Sequence, residues 1–287
     1  LATIEEYTNR IAERLEVVGL INIQYVVKKV GESETVFVIE ANPRASRTVP
    51  FVSKAIGIPL VKVAARVMLG ESLETLRNNG GLVHKTAGNH VSVKEAVLPF
   101  NRFPETDAIL GPEMRSTGEV MGIDMTPGLA FAKSQISAGM ALPEQGAVFL
   151  SLADRDKDIG VETASLLAQL GFTIAATSGT ASALNKANIE VIDVIAKLGD
   201  KSGTTAIELI ESGKIRLVIN SPRGRGPRAD GGHIRKAAAE QGIPLLTTAS
   251  AGLALAKGLV DWRSHTLRVR PLQHFHTISS AQQQLEI

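Results

Sequence analysis

From Ala147 onward the chain alternates short apolar runs with stretches of helix length, and few patterns restrict a fold more tightly. The runs are "AVFLSL", "FTIAAT", "IEVIDVI", "IRLVINS" and "IPLLTTA", all rich in valine, isoleucine and leucine. Helical stretches fall between several of them, at residues 158–170, 180–187, 204–213 and 231–241. Strands that alternate with helices run parallel, and a parallel sheet carries helices on both faces. A doubly wound sheet is therefore expected for the second half.

The first half has another texture. Residues 4–19 read as an amphipathic helix, with Ile4, Tyr7, Ile11, Leu15 and Val18 on one side. "GLINIQYVV" alternates like a strand, and "KKVGESE" reads as a polar turn leading into "TVFVIEAN", so an antiparallel hairpin is expected. "PFVSKAIGIPLVKVAARVMLG" predicts two short helices separated by Gly57 and Pro59, and "HVSVKEAVLPF" a further strand. Residues 101–127 read as ordered loop, and the chain after about Gln273 as a polar tail. With 287 residues, two domains are expected rather than one. The boundary is placed near "MALPEQG", which gives segments 1–139 and 140–287. The fold class is α/β and α+β, an antiparallel sheet with helices followed by a doubly wound parallel sheet.

Composition removes several functions. A formal charge of +2 gives no global attraction to nucleic acid or to a membrane. "SPRGRGPRADGGHIRK" gathers Arg223, Arg225 and Arg228, yet lacks the interleaved aromatics of a base-stacking surface. No cysteine is present, so disulfides and thiolate metal sites are excluded, which fits a cytoplasmic location. No apolar run is long enough to span a bilayer, and signal-peptide features are missing. His84, His90 and His233 lack metal-ligand spacing, and His265, His274 and His276 lie in or near the tail.

Two places carry candidate chemistry. In "VFVIEANPRASRT", Glu40 and Asn42 share a strand face, and the hairpin would let Gln24 join them. Their oxygens make a hard site suited to Mg²⁺, although polar residues are also ordinary strand ends. Arg44 and Arg47 follow a proline and are placed to converge on one anion, or simply to face solvent. In the second half, "FTIAATSGTASAL" sets Thr177, Ser178, Gly179 and Thr180 between a strand and a helix, as an anion site or as a plain N-cap. Lys157, Lys197 and Asn220 fall at other strand ends, where open α/β sheets bind ligands.

"GLINIQY", "VIEANPRASRTVPFVSKAIGIPLVKVAARVMLG", "SVKEAVLPFNRFP" and "LGPEMRSTGEVMGID" resemble the carbamoyl phosphate synthetase large-subunit family. "RTVPFVSKA" looks like its second ATP-grasp half, the one that phosphorylates carbamate. The resemblance implies that Gln24, Glu40 and Asn42 are ligands of Mg²⁺ or Mn²⁺, with Glu40 bridging two ions. It also implies that Arg44 and Arg47 lie near the transferred phosphate of the substrate ATP and the small anionic substrate. "GVETASLLAQLGFTIAATSGTASAL", "VINSPRGRGPRADGGHIRKAA" and "IPLLTTASAGLALAKGL" resemble the methylglyoxal-synthase-like regulatory domain that closes the same family. Lys157, Thr177, Thr180 and Lys197 match its phosphate-binding positions and Asn220 lies near the ribose or base. The implied effector is a nucleotide such as UMP or IMP, with ornithine as a second one. Pro222 stands where some members have threonine, which leaves the effector's identity open.

The implied partners are a glutaminase small subunit and the rest of the large subunit, in an oligomer, serving pyrimidine and arginine biosynthesis. The chain opens on Leu1, and the adenine pocket, phosphate-gripping lysine and glycine-rich lid of an ATP-grasp unit do not precede it, so the piece alone is expected to be inactive. Two other readings stand beside this one, a free-standing nucleotide-binding regulator and a methylglyoxal-synthase-type lyase. The lyase needs a catalytic carboxylate, and Asp154 and Asp230 are the nearby candidates.

Overall fold

The computed structural model describes residues 1–31, 33–82, 90–98, 108–109, 114, 116, 118–195, 204–221 and 230–277, with backbone alone for Asp230 and Thr277. The chain forms two compact units, one built from Leu1–Asn89 with Arg270–Glu286 and the other from His90–Val269.

The first unit contains α1 (Ala2–Arg14), β1 (Asn22–Val30), β2 (Ser33–Asn42), α2 (Thr48–Ile56), α3 (Leu60–Met68) and α4 (Leu73–Asn78). Strands β1 and β2 pair antiparallel from Asn22 with Asn42 to Val30 with Ser33. The turn is thus tighter than the polar run "KKVGESE" led us to expect, because Lys28, Lys29 and Glu34 all belong to strands. Gly31 supplies the reason, since it takes the left-handed conformation (φ 62°) that a short hairpin needs. The register slips between Gln24 and Tyr25, so Tyr25 faces Val38 and Ile39 is the extra residue of a bulge. Tyr25 and Thr8 of α1 share a 2.8 Å hydroxyl contact that pins the helix to the ribbon. Burial here is sparse: Val26, Val27, Phe37, Val38 and Ile39 are each 43–57 % exposed. Helix α4 starts where the Ser72 hydroxyl accepts the Thr75 N–H, and it buries Leu76 completely.

The second unit opens with β3 (Val91–Val97), β4 (Gly118–Asp124) and α5 (Pro127–Ser137). Strand β4 occupies part of the stretch read as loop, and it pairs antiparallel with β3. Its signal is weak in sequence because glycines interrupt it, and Gly122 is there for packing: a Cβ would lie 1.9 Å from the Ala130 carbonyl of α5. Helix α5 is capped by Thr126, whose hydroxyl accepts the Leu129 N–H, with Pro127 opening the helix.

The remaining elements are β5 (Ala147–Ser151), α6 (Lys157–Gln169), β6 (Thr173–Thr177), α7 (Ser178–Lys186), β7 (Asp193–Ile195), α8 (Ala206–Glu211), β8 (Ile215–Asn220), α9 (Asp230–Glu240), β9 (Leu245–Leu246) and α10 (Ala249–Ser264). The five described strands form one parallel sheet in the order β7-β6-β5-β8-β9. Alternation along each strand feeds two cores. Val148, Leu150, Leu217 and Ile219 meet α6, α7 and α10 on one face, through residues such as Leu167, Leu184 and Leu255. Phe149, Ile215 and Val218 meet α8 and α9 on the other, through Leu209, Ile210, Ile234 and Ala238. The doubly wound architecture is therefore present as expected.

Strands β3 and β4 and helix α5 fall in the second compact unit, where α5 packs closely against α10. A Cβ on Gly258 would lie 2.9 Å from the Gly128 carbonyl, and Thr126 donates to the Asp261 carboxylate at 2.7 Å. The tail also contains a helix, α11 (Leu272–Thr277), which buries Phe275 and joins the first unit. One apolar ring on a polar segment is a faint signal, and only the contact reveals it.

Candidate functional site

The hairpin assembles the first candidate site at its open end. Glu40 and Asn42 lie two apart on β2, and the Asn42 side-chain amide donates to Glu40 Oε1 at 3.0 Å. The register sets Gln24 directly opposite Glu40 and Asn22 opposite Asn42, so all four belong to one face. Asn22 is a residue that the reading of the sequence missed as a candidate. Its polar type was visible, but only the register shows what it faces. Just beyond, the Arg44 N–H donates to the Asn42 carbonyl at 2.8 Å, and the resulting tight turn carries the chain toward α2. Arg44 also donates to the Ala45 carbonyl at 3.0 Å, while Arg47 takes the N-cap position of α2. Both arginines are exposed. Between them the Ser46 hydroxyl is buried and has no hydrogen-bond partner among the described residues.

A divalent ion suits this donor set. Glu40 is its one carboxylate, Gln24, Asn42 and Asn22 add amide oxygens, and the open face leaves room for water or phosphate oxygens. Mg²⁺ typically takes one or two carboxylates and keeps several waters. Among the described residues no group of three or more His, Cys, Asp or Glu could cage a metal without such help.

The second candidate site lies where the parallel sheet changes direction. Strands β5 and β8 are neighbours whose connections lead to opposite edges, and crevices at the carboxyl ends of such strands bind ligands. Ser151 and Asn220 end those strands in register. Lys157 is the first residue of α6, and its ammonium lies 2.7 Å from the Asp154 carboxylate. Helix α7 begins at Ser178 with Thr177 as its N-cap residue and no side-chain cap, which leaves its first N–H groups open to an anion. Thr177 donates instead to Thr180 Oγ1 at 3.2 Å.

Burial separates the predicted residues into two sets. Thr180 and Asn220 are 0 % and 2 % exposed, and they tie the strand ends together. Thr180 Oγ1 accepts the Leu152 N–H at 3.0 Å, and the Asn220 amide donates to the Ser151 carbonyl at 3.3 Å. Ser221, which sequence reasoning missed, accepts the Ala153 N–H at 2.9 Å. Ser178 is exposed, and Thr177, Gly179 and Lys157 are half-buried, so these four are accessible from solvent. A cavity of about 520 Å³ runs beside α7, lined in part by Ser178, Asn185, Lys186 and Val194. Lys197, Pro222, Arg223, Arg225, Arg228 and His84 lie outside the described residues. Of the two candidates for a lyase's catalytic carboxylate, Asp154 is engaged by Lys157, and Asp230 begins α9.

Two protein families meet on this frame. Residues 2–76 match the carbamoyl-phosphate synthase L chain ATP binding domain, and residues 160–247 match the MGS-like domain. The large chain of Synechocystis carbamoyl phosphate synthase is 46 % identical over 275 residues, covering 96 % of this chain. Both halves of the chain are thus similar to the carbamoyl phosphate synthase large chain. The large chain from Methanothermobacter thermautotrophicus is also 46 % identical, over 274 residues. A protein of Methanocaldococcus jannaschii described as the C-terminal section of the large chain is 44 % identical over 277 residues. The chain spans 25 % of the Synechocystis protein and 44 % of the Methanocaldococcus section, and so corresponds to the C-terminal portion of carbamoyl phosphate synthase large chains.

Proposed function

We propose that the first unit supplies one wall of a site that phosphorylates carbamate with ATP, within a complete carbamoyl phosphate synthase that also contains a glutaminase small subunit. The observation that carries this reading is the Glu40–Asn42 contact, with Gln24 opposite and Arg44 and Arg47 just beyond. Gln24, Glu40 and Asn42 would hold Mg²⁺ or Mn²⁺, which supplies the positive charge that two mutually repelling anions need. Arg44 and Arg47 orient and neutralise phosphoryl oxygens through forked hydrogen bonds. Phosphoryl transfer is mostly positioning plus such electrostatic stabilisation, so removing one charge has a large effect. In the complete enzyme Glu40→Gln is expected to lower carbamoyl phosphate synthesis by about a hundredfold or more while thermal unfolding stays unchanged. Retained synthesis in that variant would refute the assignment.

The second unit is read as a regulatory module that binds a nucleotide effector at the β5–β8 switch point. Lys157 and the uncapped start of α7 support this, since both offer donors and positive potential to a phosphate. Regulation follows if the nucleotide has different affinities for the active and less active states, and the coupling then acts in both directions. UMP is assigned as an inhibitor, with IMP as the alternative nucleotide and ornithine as a separate activator. Calorimetry of the chain with UMP and with IMP tests the binding step, and no heat from either at millimolar concentration contradicts it.

A further inference from the structure

Arg235 on α9 is a buried guanidinium at the carboxyl end of β8. It is 1 % exposed, and its Nη1 donates to Asn220 Oδ1 at 2.6 Å. It lies within the segment that carries the regulatory-domain resemblance, yet the assigned effector residues do not include it. A cation this deep is costly, and a glycine makes room for it: a Cβ on Gly231 would lie 2.7 Å from the same Nη1 and 3.1 Å from Asn220 Oδ1. Gly231 therefore clears the space in which the two side chains meet.

That contact settles which way the Asn220 amide faces. A guanidinium has donors and no acceptor, so it pairs only with the amide oxygen. The amide nitrogen is thereby turned to the end of β5, where one N–H reaches the Ser151 carbonyl at 3.3 Å and the other is left for a ligand. Thr180 is polarised in the same sense. Its oxygen accepts from the Leu152 N–H and from the Thr177 hydroxyl, so both lone pairs are used and its own proton can only be donated. Lys157 and the first N–H groups of α7 are donors by nature.

We infer that Arg235 is a positioning residue that locks Asn220 as a donor, so that at this position the switch-point pocket favours ligand groups that accept, oxyanions above all. The inference rests on the proposed effector pocket and adds to it the polarity of that pocket and the residue that sets it.

Asn220→Asp is the test. The aspartate is isosteric and pairs with Arg235, so the fold persists, but it presents oxygen where the wild-type side chain presents N–H. Calorimetry with inorganic phosphate and with UMP, on the whole chain, is expected to show affinity lower by about tenfold or more, with a melting temperature no lower than that of wild type. Arg235→Met is expected to weaken binding as well, and Arg235→Lys, which restores a donor to the amide oxygen, to recover most of it. Unchanged affinity in folded Asn220→Asp overturns the inference and leaves the effector pocket standing. Equal loss in the Met and Lys variants, with both folded, overturns the positioning role of Arg235. Wild-type protein that gives no heat with either probe overturns the pocket and the inference together.

Discussion

The two units solve opposite problems. In the parallel-sheet unit, Phe149, Leu150, Leu217 and Ile210 are fully buried, and its ligand groups hang from the ends of strands that the core holds rigid. In the hairpin unit, α1, α2 and both strands bury no residue, and Phe37, Val38 and Ile39 stand open to solvent. Its candidate ligands are held by backbone pairing and one Asn–Glu contact rather than by packing. A site on a rigid sheet can be specified by buried partners, as Arg235 does for Asn220. A site on an exposed ribbon is specified by strand register alone.

Truncation of matched aromatics is the most forceful way to break this contrast. Phe149→Ala is expected to cost about 3–5 kcal/mol in denaturant unfolding, whereas Phe37→Ala stays within about 1 kcal/mol because half of that ring is already in water. Equal costs would mean that the hairpin has a core of its own. A smaller loss is expected from Gly128→Ala, whose Cβ would lie 2.2 Å from the Asp261 carboxylate. About 1–3 kcal/mol of overpacking should appear there, and a neutral result would show that α5 does not bear closely on α10.

Finer effects sharpen the account of the second unit. Asp154→Asn removes the carboxylate that engages Lys157 at 2.7 Å, so phosphate affinity measured by calorimetry is expected to rise about twofold to fivefold. The smallest effect concerns pH. The Thr205 backbone N–H and then its hydroxyl donate to Glu208, which holds that carboxyl below the ordinary glutamate value. Its stabilisation is full above the unfolded pKa and disappears as pH falls through the lowered folded one. Glu208→Gln keeps an acceptor and loses the charge, so the melting temperature should fall slightly less steeply with acid than in wild type.

Much of this molecule was legible in order of residues. The apolar runs from Ala147 announced a parallel sheet because a strand buried on both faces has little choice of composition. Glu40 and Asn42 were legible as partners because side chains two apart on a strand point the same way. What local pattern hid has a common cause. Strand β4, helix α5 and Phe275 depend on partners distant in the chain, and their own segments are short, glycine-interrupted or mostly polar.

The sequence by itself determined the doubly wound sheet, the hairpin and the identity of the oxygen and nitrogen groups at its strand ends, since each follows from periodicity within a few residues. Only the tertiary structure decided that Asn22 stands opposite Asn42, that α5 packs against α10, and that Arg235 turns the Asn220 amide. Register, packing and the polarity of a buried amide are properties of pairs far apart in the chain, and no local pattern encodes them.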